Sequence, residues 1–327
     1  MKHLIINADD FGLSPGVNQG IVEAYQAGGI SSTTLMVNMP GFSDAIRLAR
    51  LHSELGVGLH FNLTYGRPVS DVRHVPSLVQ KDGCFHPISE TGSRELREIE
   101  IELLAQWERF IASGLYPTHL DAHHHLHQVF PDVYKAMAQL AIKENIPMRR
   151  LQQPHHWSGD PALLPTTVDQ VLLDTYEAEN GLQKLLGYLH NLPQGSTEIM
   201  CHPGYVDEPL QAMSKLTSQR ESELAVFGNL AVSRTIQALG IRLIHYGLLE
   251  SVMNEPVPAQ TDAVSGTGIV SPVAPVQSLR PTRIIAKRNS LRNRKLKLRS
   301  LRGGKRRQRA LPRKKRKIAM RKKQKYR

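Results

Sequence analysis

The amino terminus sets the fold class. Leu4, Ile5 and Ile6 form a short apolar run that leads directly into Asn7-Ala8-Asp9-Asp10-Phe11-Gly12. A run of this length reads as a buried parallel strand. Ser14-Pro15 then supplies an N-cap and a first-turn proline for a helix over residues 17–27, which Gly28-Gly29 closes. A strand that passes into a helix within a few residues is the βα unit of open α/β sheets and barrels, whose chemistry gathers at the carboxyl ends of the strands. Asp9 and Asp10 occupy that end. Their side chains are expected on different sides of the strand tip, so one could ligate a metal while the other acts as a base. The commoner fate of an Asp-Asp pair is a solvated turn.

What favours chemistry over a turn is a series of histidines in similar settings. His60 ends the glycine-flanked run Leu55-Gly56-Val57-Gly58-Leu59, although a lone histidine there is more often packed than ligating. His119 to His127 holds five histidines and Asp121 within nine residues. If extended, 119, 121, 123, 125 and 127 share a face; if helical, His119/His123 and His123/His127 stack, so His123 belongs to the polar set either way. A histidine-rich surface tract is the competing reading, but such tracts seldom have a strand-like entry such as Pro117-Thr118-His119-Leu120-Asp121. Glu198 to Cys201 reads as a strand that stops at a Pro203-Gly204 turn with His202 at its tip.

One aspartate and two histidines form a recognised ligand set for a divalent cation that leaves positions open for water and substrate. A cation so held makes water acidic enough to attack near neutral pH and polarises an acyl oxygen, which suits hydrolysis of an amide or ester, with the remaining acid and histidine as base and acid. Hydride transfer and phosphoryl transfer lack their motifs: the chain has no G-x-G-x-x-G after the first strand and no G-x-x-x-x-G-K-[ST]. Cys201 beside His202 invites a thiol-nucleophile reading, which is disfavoured because neighbours on a strand face opposite ways.

Residues 1 to about 250 resemble the YdjC-like carbohydrate deacetylases of the ChbG/HpnK type. The resemblance rests on Asn7 to Ser14, Ser32-Thr33-Thr34 to Asn38, Gly58 to Thr64, Thr118 to His127 and Cys201 to Tyr205, separated motifs in the family's order. It implies an α/β fold, a distorted, incomplete (β/α) TIM-like barrel, and removal of N-acetyl groups from amino sugars of chitooligosaccharide or glycolipid type. It also implies metal ligation by Asp10, His60 and His123, with Asp9 as base and His202 as acid or transition-state stabiliser. The family resemblance implies magnesium. The donor set argues for zinc or another transition metal, because magnesium prefers oxygen ligands. A homodimer is implied as well.

Composition divides the chain sharply. Of 42 Lys and Arg, 24 lie between Arg280 and Arg327, where there is no Asp or Glu. The rest has 18 basic against 29 acidic residues, a net charge of −11 under an overall +13. This organisation predicts a deacetylase domain over 1–253, a Pro-, Ala-, Ser- and Gly-rich linker over 254–279, and a basic tail over 280–327 that is disordered in isolation. The tail suits polyanions: nucleic acid, an anionic membrane or the acidic domain itself. A rival class for the whole chain is therefore a nucleic-acid-associated protein whose barrel is not catalytic. It is disfavoured because a polyanion binder has no need of Asp9, Asp10, His60 and His123 at separate strand tips.

Other local patterns predict helices over 93–113, 131–144 and 224–239, strands over 146–151 and 241–246, and loops around the site over 64–81 and 152–160. His245 is expected to serve structure. Two cysteines are too few for a disulfide framework, and the chain turns acidic before a signal-length apolar core can form, so the cytoplasm is expected.

Overall fold

The computed structural model describes residues 1–90, 94–152 and 164–254. Most of the expected linker, the whole basic tail and most of the expected 152–160 loop lie outside the described residues. Among the described residues, seven strands form one sheet: β1 (Lys2–Phe11), β2 (Ser32–Leu35), β3 (Gly56–Phe61), β4 (Leu120–Ala122), β5 (Gln170–Leu172), β6 (Gly195–Cys201) and β7 (Arg242–Leu243). All pairings are parallel, in the order β4-β3-β2-β1-β6-β5, and β7 pairs with the start of β1. The sheet curls into a half-barrel with helices packed around it, the α/β architecture the sequence predicts.

β1 is the axis of the molecule. It is buried from His3 to Phe11, as expected of a strand paired along both edges. Because every strand runs the same way, all carboxyl ends collect at one mouth. The first βα unit forms as read: Ser14 Oγ accepts from the Val17 N–H at 3.2 Å, and the helix Pro15–Gln26 follows. That helix can lie against the turn after His202 because Gly20 and Gly204 face each other there. A Cβ on Gly20 would come 2.6 Å from the Gly204 Cα, nearer than side chains tolerate.

The helix expected over 93–113 spans Leu96–Ala112 and buries Ile99, Leu103, Trp107 and Phe110. The one over 131–144 is Pro131–Glu144 as predicted. The single helix expected over 224–239 is instead two, Ser218–Phe227 and Leu230–Ala238. The break falls at Gly228-Asn229, where the Asn229 side chain accepts from the Ala231 N–H at 2.9 Å and so caps a new helix. The expected strand over 146–151 is reduced to a bridge of Met148 with Leu120, and the last strand to two residues. No helix among the described residues is long and apolar enough to cross a membrane.

Candidate functional site

The strand tips of β1, β3, β4 and β6 meet at a cavity of about 270 Å³ lined by Asp9, Asp10, His60, His123, His202 and Arg220, among others. All five site residues read from the sequence therefore share one cavity. Asp9 and Asp10 were expected on different sides of the strand tip, yet both reach it. The register explains how: between Ala8 and Phe11, β1 carries one residue more than the facing stretch of β2, a bulge, and Asp10 sits at φ 70 in the left-handed region.

His60 is the best-fixed ligand candidate. It lies directly opposite Asp121 in the β3/β4 register, and its Nδ1 is 2.7 Å from Asp121 Oδ1 and 3.1 Å from Thr34 Oγ1. Thr34 donates to Asp121 Oδ2 at 2.9 Å, which leaves the Nδ1–H of His60 to bond Asp121 and turns the Nε2 lone pair toward the cavity. That lone pair faces Asp10 Oδ1 at 3.2 Å, and His123 Nδ1 is 2.9 Å from the same oxygen. Two acceptors facing each other in a buried site call for a positive charge between them. A proton on Nε2 meets that demand as a metal ion would, and the titration of His60 reflects it. Burial on its own pushes the imidazole down, but Asp121, Asp10 and Asp9 outweigh it and raise it to about 10. Ligand atoms of Asp10, His60 and His123 lie within 4.8 Å of one another, so these three residues could hold a metal ion.

The tract His119 to His127 is neither one strand nor one helix. Leu120–Ala122 is strand, His123–His125 a 3-10 turn, and Leu126–Val129 a short helix, with His124 and His125 at φ 53 and φ 51. Those left-handed residues turn the chain so that His123, His124 and His125 all line the cavity. His124 packs its ring 3.9 Å from that of His123 and engages Thr64 Oγ1 at 2.9 Å. Burial pushes His124 down to about 4 and His125 to about 3, so both are neutral near pH 7. His119 and His127 are core residues; His119 stacks on Tyr246 with ring centroids 4.0 Å apart.

Asp9 is held by Arg149, a residue the sequence reading did not single out. Nη1 donates to Asp9 Oδ2 at 2.7 Å and Nη2 to Oδ1 at 2.6 Å, while the Asn7 amide adds a bond to Oδ1 at 2.9 Å. Burial would raise this carboxyl, but the guanidinium holds it far below the ordinary carboxylate range. The same guanidinium meets Glu198 Oε1 at 2.8 Å and Asp121 Oδ2 at 2.9 Å, so one buried arginine bridges Asp9 to the carboxylate that orients His60. Asp10 has its own arginine: Arg220 Nη2 donates to Oδ2 at 2.5 Å. Neither arginine carries a sequence signal, since each arrives from an element remote from the strand it serves.

His202 follows β6, and its backbone N–H donates to Glu223 Oε2 at 2.5 Å. Burial, opposed by Asp10 and Asp9, pushes the imidazole down to about 4, so it is neutral near pH 7. Cys201 turns away from the cavity toward the Asn7 carbonyl, and burial pushes its thiol well up, which removes it as a nucleophile. His245 accepts from the Gly247 N–H in a tight turn, the structural role expected of it.

Residues 3–238 match the sequence profile of the YdjC-like protein family. The chain belongs to that family. Among its relatives, a carbohydrate deacetylase of Geobacillus stearothermophilus is 44% identical over 250 residues, covering 75% of this chain and 97% of the relative. A chitooligosaccharide deacetylase of Yersinia enterocolitica is 36% identical over 253 residues, covering 75% and 98%. A crystal structure from Enterococcus faecalis, provisionally described as a cellobiose-phosphate cleavage protein, superposes with a TM-score of 0.69 at 32% identity and covers 77% of this YdjC-like chain and 98% of its own. All three matches leave about a quarter of this chain uncovered.

Proposed function

We propose that this chain is a metal-dependent hydrolase that removes N-acetyl groups from amino sugars of chitooligosaccharide or glycolipid type. The observation that carries the reading is the convergence of Asp10, His60 and His123 on one cavity, with the tautomer of His60 set by Asp121. The names of the relatives, carbohydrate deacetylase and chitooligosaccharide deacetylase, support a sugar substrate, and the glycolipid alternative rests on the family resemblance. In this reading Asp10, His60 and His123 hold a divalent cation, which supplies Lewis acidity to water and to the acyl oxygen. Two imidazoles and a carboxylate favour zinc or another transition ion, whereas the family resemblance implies magnesium.

The chain's own residues account for the protons. Asp9, kept anionic by Arg149 and open to the same cavity, accepts the proton of the attacking water. The proton that Asp9 takes up returns to the departing amine nitrogen, while His202, neutral near pH 7 and brought in from β6, acts as a transition-state stabiliser by hydrogen bonding from its ring N–H. Leu13 and Leu216 supply apolar wall to a cavity large enough for an acetamido group. The basic tail supports a separate, non-catalytic reading as a polyanion-binding appendage to the domain over 1–253.

The deciding experiment incubates metal-reconstituted protein with N-acetylglucosamine oligomers, N-acetylglucosaminyl lipids and acetylated esters and measures released acetate. Acetate from a sugar amide, abolished by chelation and restored by one divalent metal, is the expected result. Release from esters alone would overturn the substrate class, and release that survives chelation would overturn the metal.

A further inference from the structure

Arg220 sits on the helix Ser218–Phe227, 210 residues from Asp10 in the chain, and its side chain is 2% exposed. Its Nε donates to the Leu216 carbonyl at 3.1 Å and its Nη2 to Asp10 Oδ2 at 2.5 Å, while the buried Nη1 has no hydrogen-bond partner. The guanidinium is thus committed to Asp10 without being saturated, an arrangement that a purely structural arginine would not favour.

The two oxygens of Asp10 have different neighbours. Among the described residues, Oδ1 faces His60 Nε2 and His123 Nδ1, whereas Oδ2 accepts from the guanidinium. We propose that Arg220 is a positioning residue that reserves Oδ2 of Asp10, so that only Oδ1 is left to ligate, and sets a fixed positive charge against the cation site. This inference rests on the metal-dependent reading above. Its consequence is that the site binds its metal less tightly than its three donors allow and keeps a more electrophilic cation. A carboxylate whose charge is partly neutralised by an arginine donates less to a metal, and a nearby guanidinium repels the ion directly.

The test compares wild type with Arg220→Met, Arg220→Gln and Arg220→Lys. Metal affinity is read by equilibrium dialysis with Zn2+ and with Mg2+, and kcat and KM on an N-acetylglucosamine oligomer are read alongside. Loss of the charge is expected to tighten metal binding by about ten-fold or more in the Met and Gln variants, because a unit charge a few ångströms away acts at an effective dielectric near 20. Their kcat should fall while KM stays near wild type. Lysine, which keeps the charge but not the fork, should return affinity toward wild type. If Arg220→Met does not fold, Arg220→Gln, which keeps a donor for Oδ2, carries the same comparison. Unchanged or weaker metal binding in a folded neutral variant would overturn the inference. Failure of the metal-dependent reading looks different, since the wild type itself would then bind no divalent ion at the site.

Discussion

Arg149 grips both carboxylate oxygens of Asp9, at 2.7 and 2.6 Å, and reaches Asp121 and Glu198 from the same guanidinium. A single cation therefore meets three carboxylates that are all essentially buried. Tyr246 adds a hydroxyl bond to Glu198 at 2.5 Å and closes the network. Removing Arg149 leaves uncompensated buried charge on both sides of the candidate site.

Arg149→Met should lower unfolding free energy by about 3–5 kcal/mol or more, the scale for stripping one partner from a buried ion pair. Urea denaturation followed by circular dichroism measures this. A loss of under about 1 kcal/mol would mean that the carboxylates take up protons instead at little cost.

For the metal centre, His60→Ala or His123→Ala should each remove most bound metal and most deacetylase activity. His124→Ala should be milder on metal content, because His124 engages Thr64 although it lines the same cavity. Elemental analysis of the three purified variants separates these outcomes, and full occupancy in the first two would remove them from the ligand set.

Asp9→Asn should retain the metal and lower turnover by about 10²–10⁴-fold, the range for loss of a general base. The amide leaves the Asp10, His60 and His123 donors untouched. Turnover near wild type, with metal content unchanged, would place the base elsewhere.

Glu223 gives a pH prediction. Its carboxylate is fully buried and accepts from the His202 and Tyr176 N–H groups, yet burial pushes it from the ordinary 4.5 up to about 7. Between those values the folded state keeps a proton that the unfolded chain has shed. The Glu223 contribution to stability is therefore present below about pH 4.5 and declines as pH rises toward about 7. Glu223→Gln should flatten that decline in a series of thermal melts across the window. An identical pH slope in the variant would assign the dependence to other groups.

Truncation after Met253 should leave folding and deacetylation of a small neutral substrate largely unchanged, because the last helix, Leu249–Met253, is retained. Duplex DNA or RNA binding should be lost with the 24 basic residues, and in the full chain it should weaken steeply with salt. Salt-insensitive binding by the truncated form would refute the electrostatic account.

What the sequence determined by itself was local. The strand at Leu4 to Ile6, the Ser14 cap, the helix Pro131–Glu144 and the placement of Asp9, Asp10, His60, His123 and His202 next to strand tips were legible, because periodicity, capping and turn chemistry act over a few residues. The helix over 224–239 was misread because hydrophobic spacing continued through Gly228-Asn229, where a cap competes with helix continuation. Only the tertiary structure decided which side chains meet. The β1 bulge brought both aspartates to one cavity, the left-handed His124 and His125 turned His123 inward, and Arg149 and Arg220 each claimed one aspartate. Those partners lie 140 and 210 residues away, and ion pairing across such a separation leaves no periodic trace in the chain. It exists only once the parallel sheet has carried the strand ends to a common mouth.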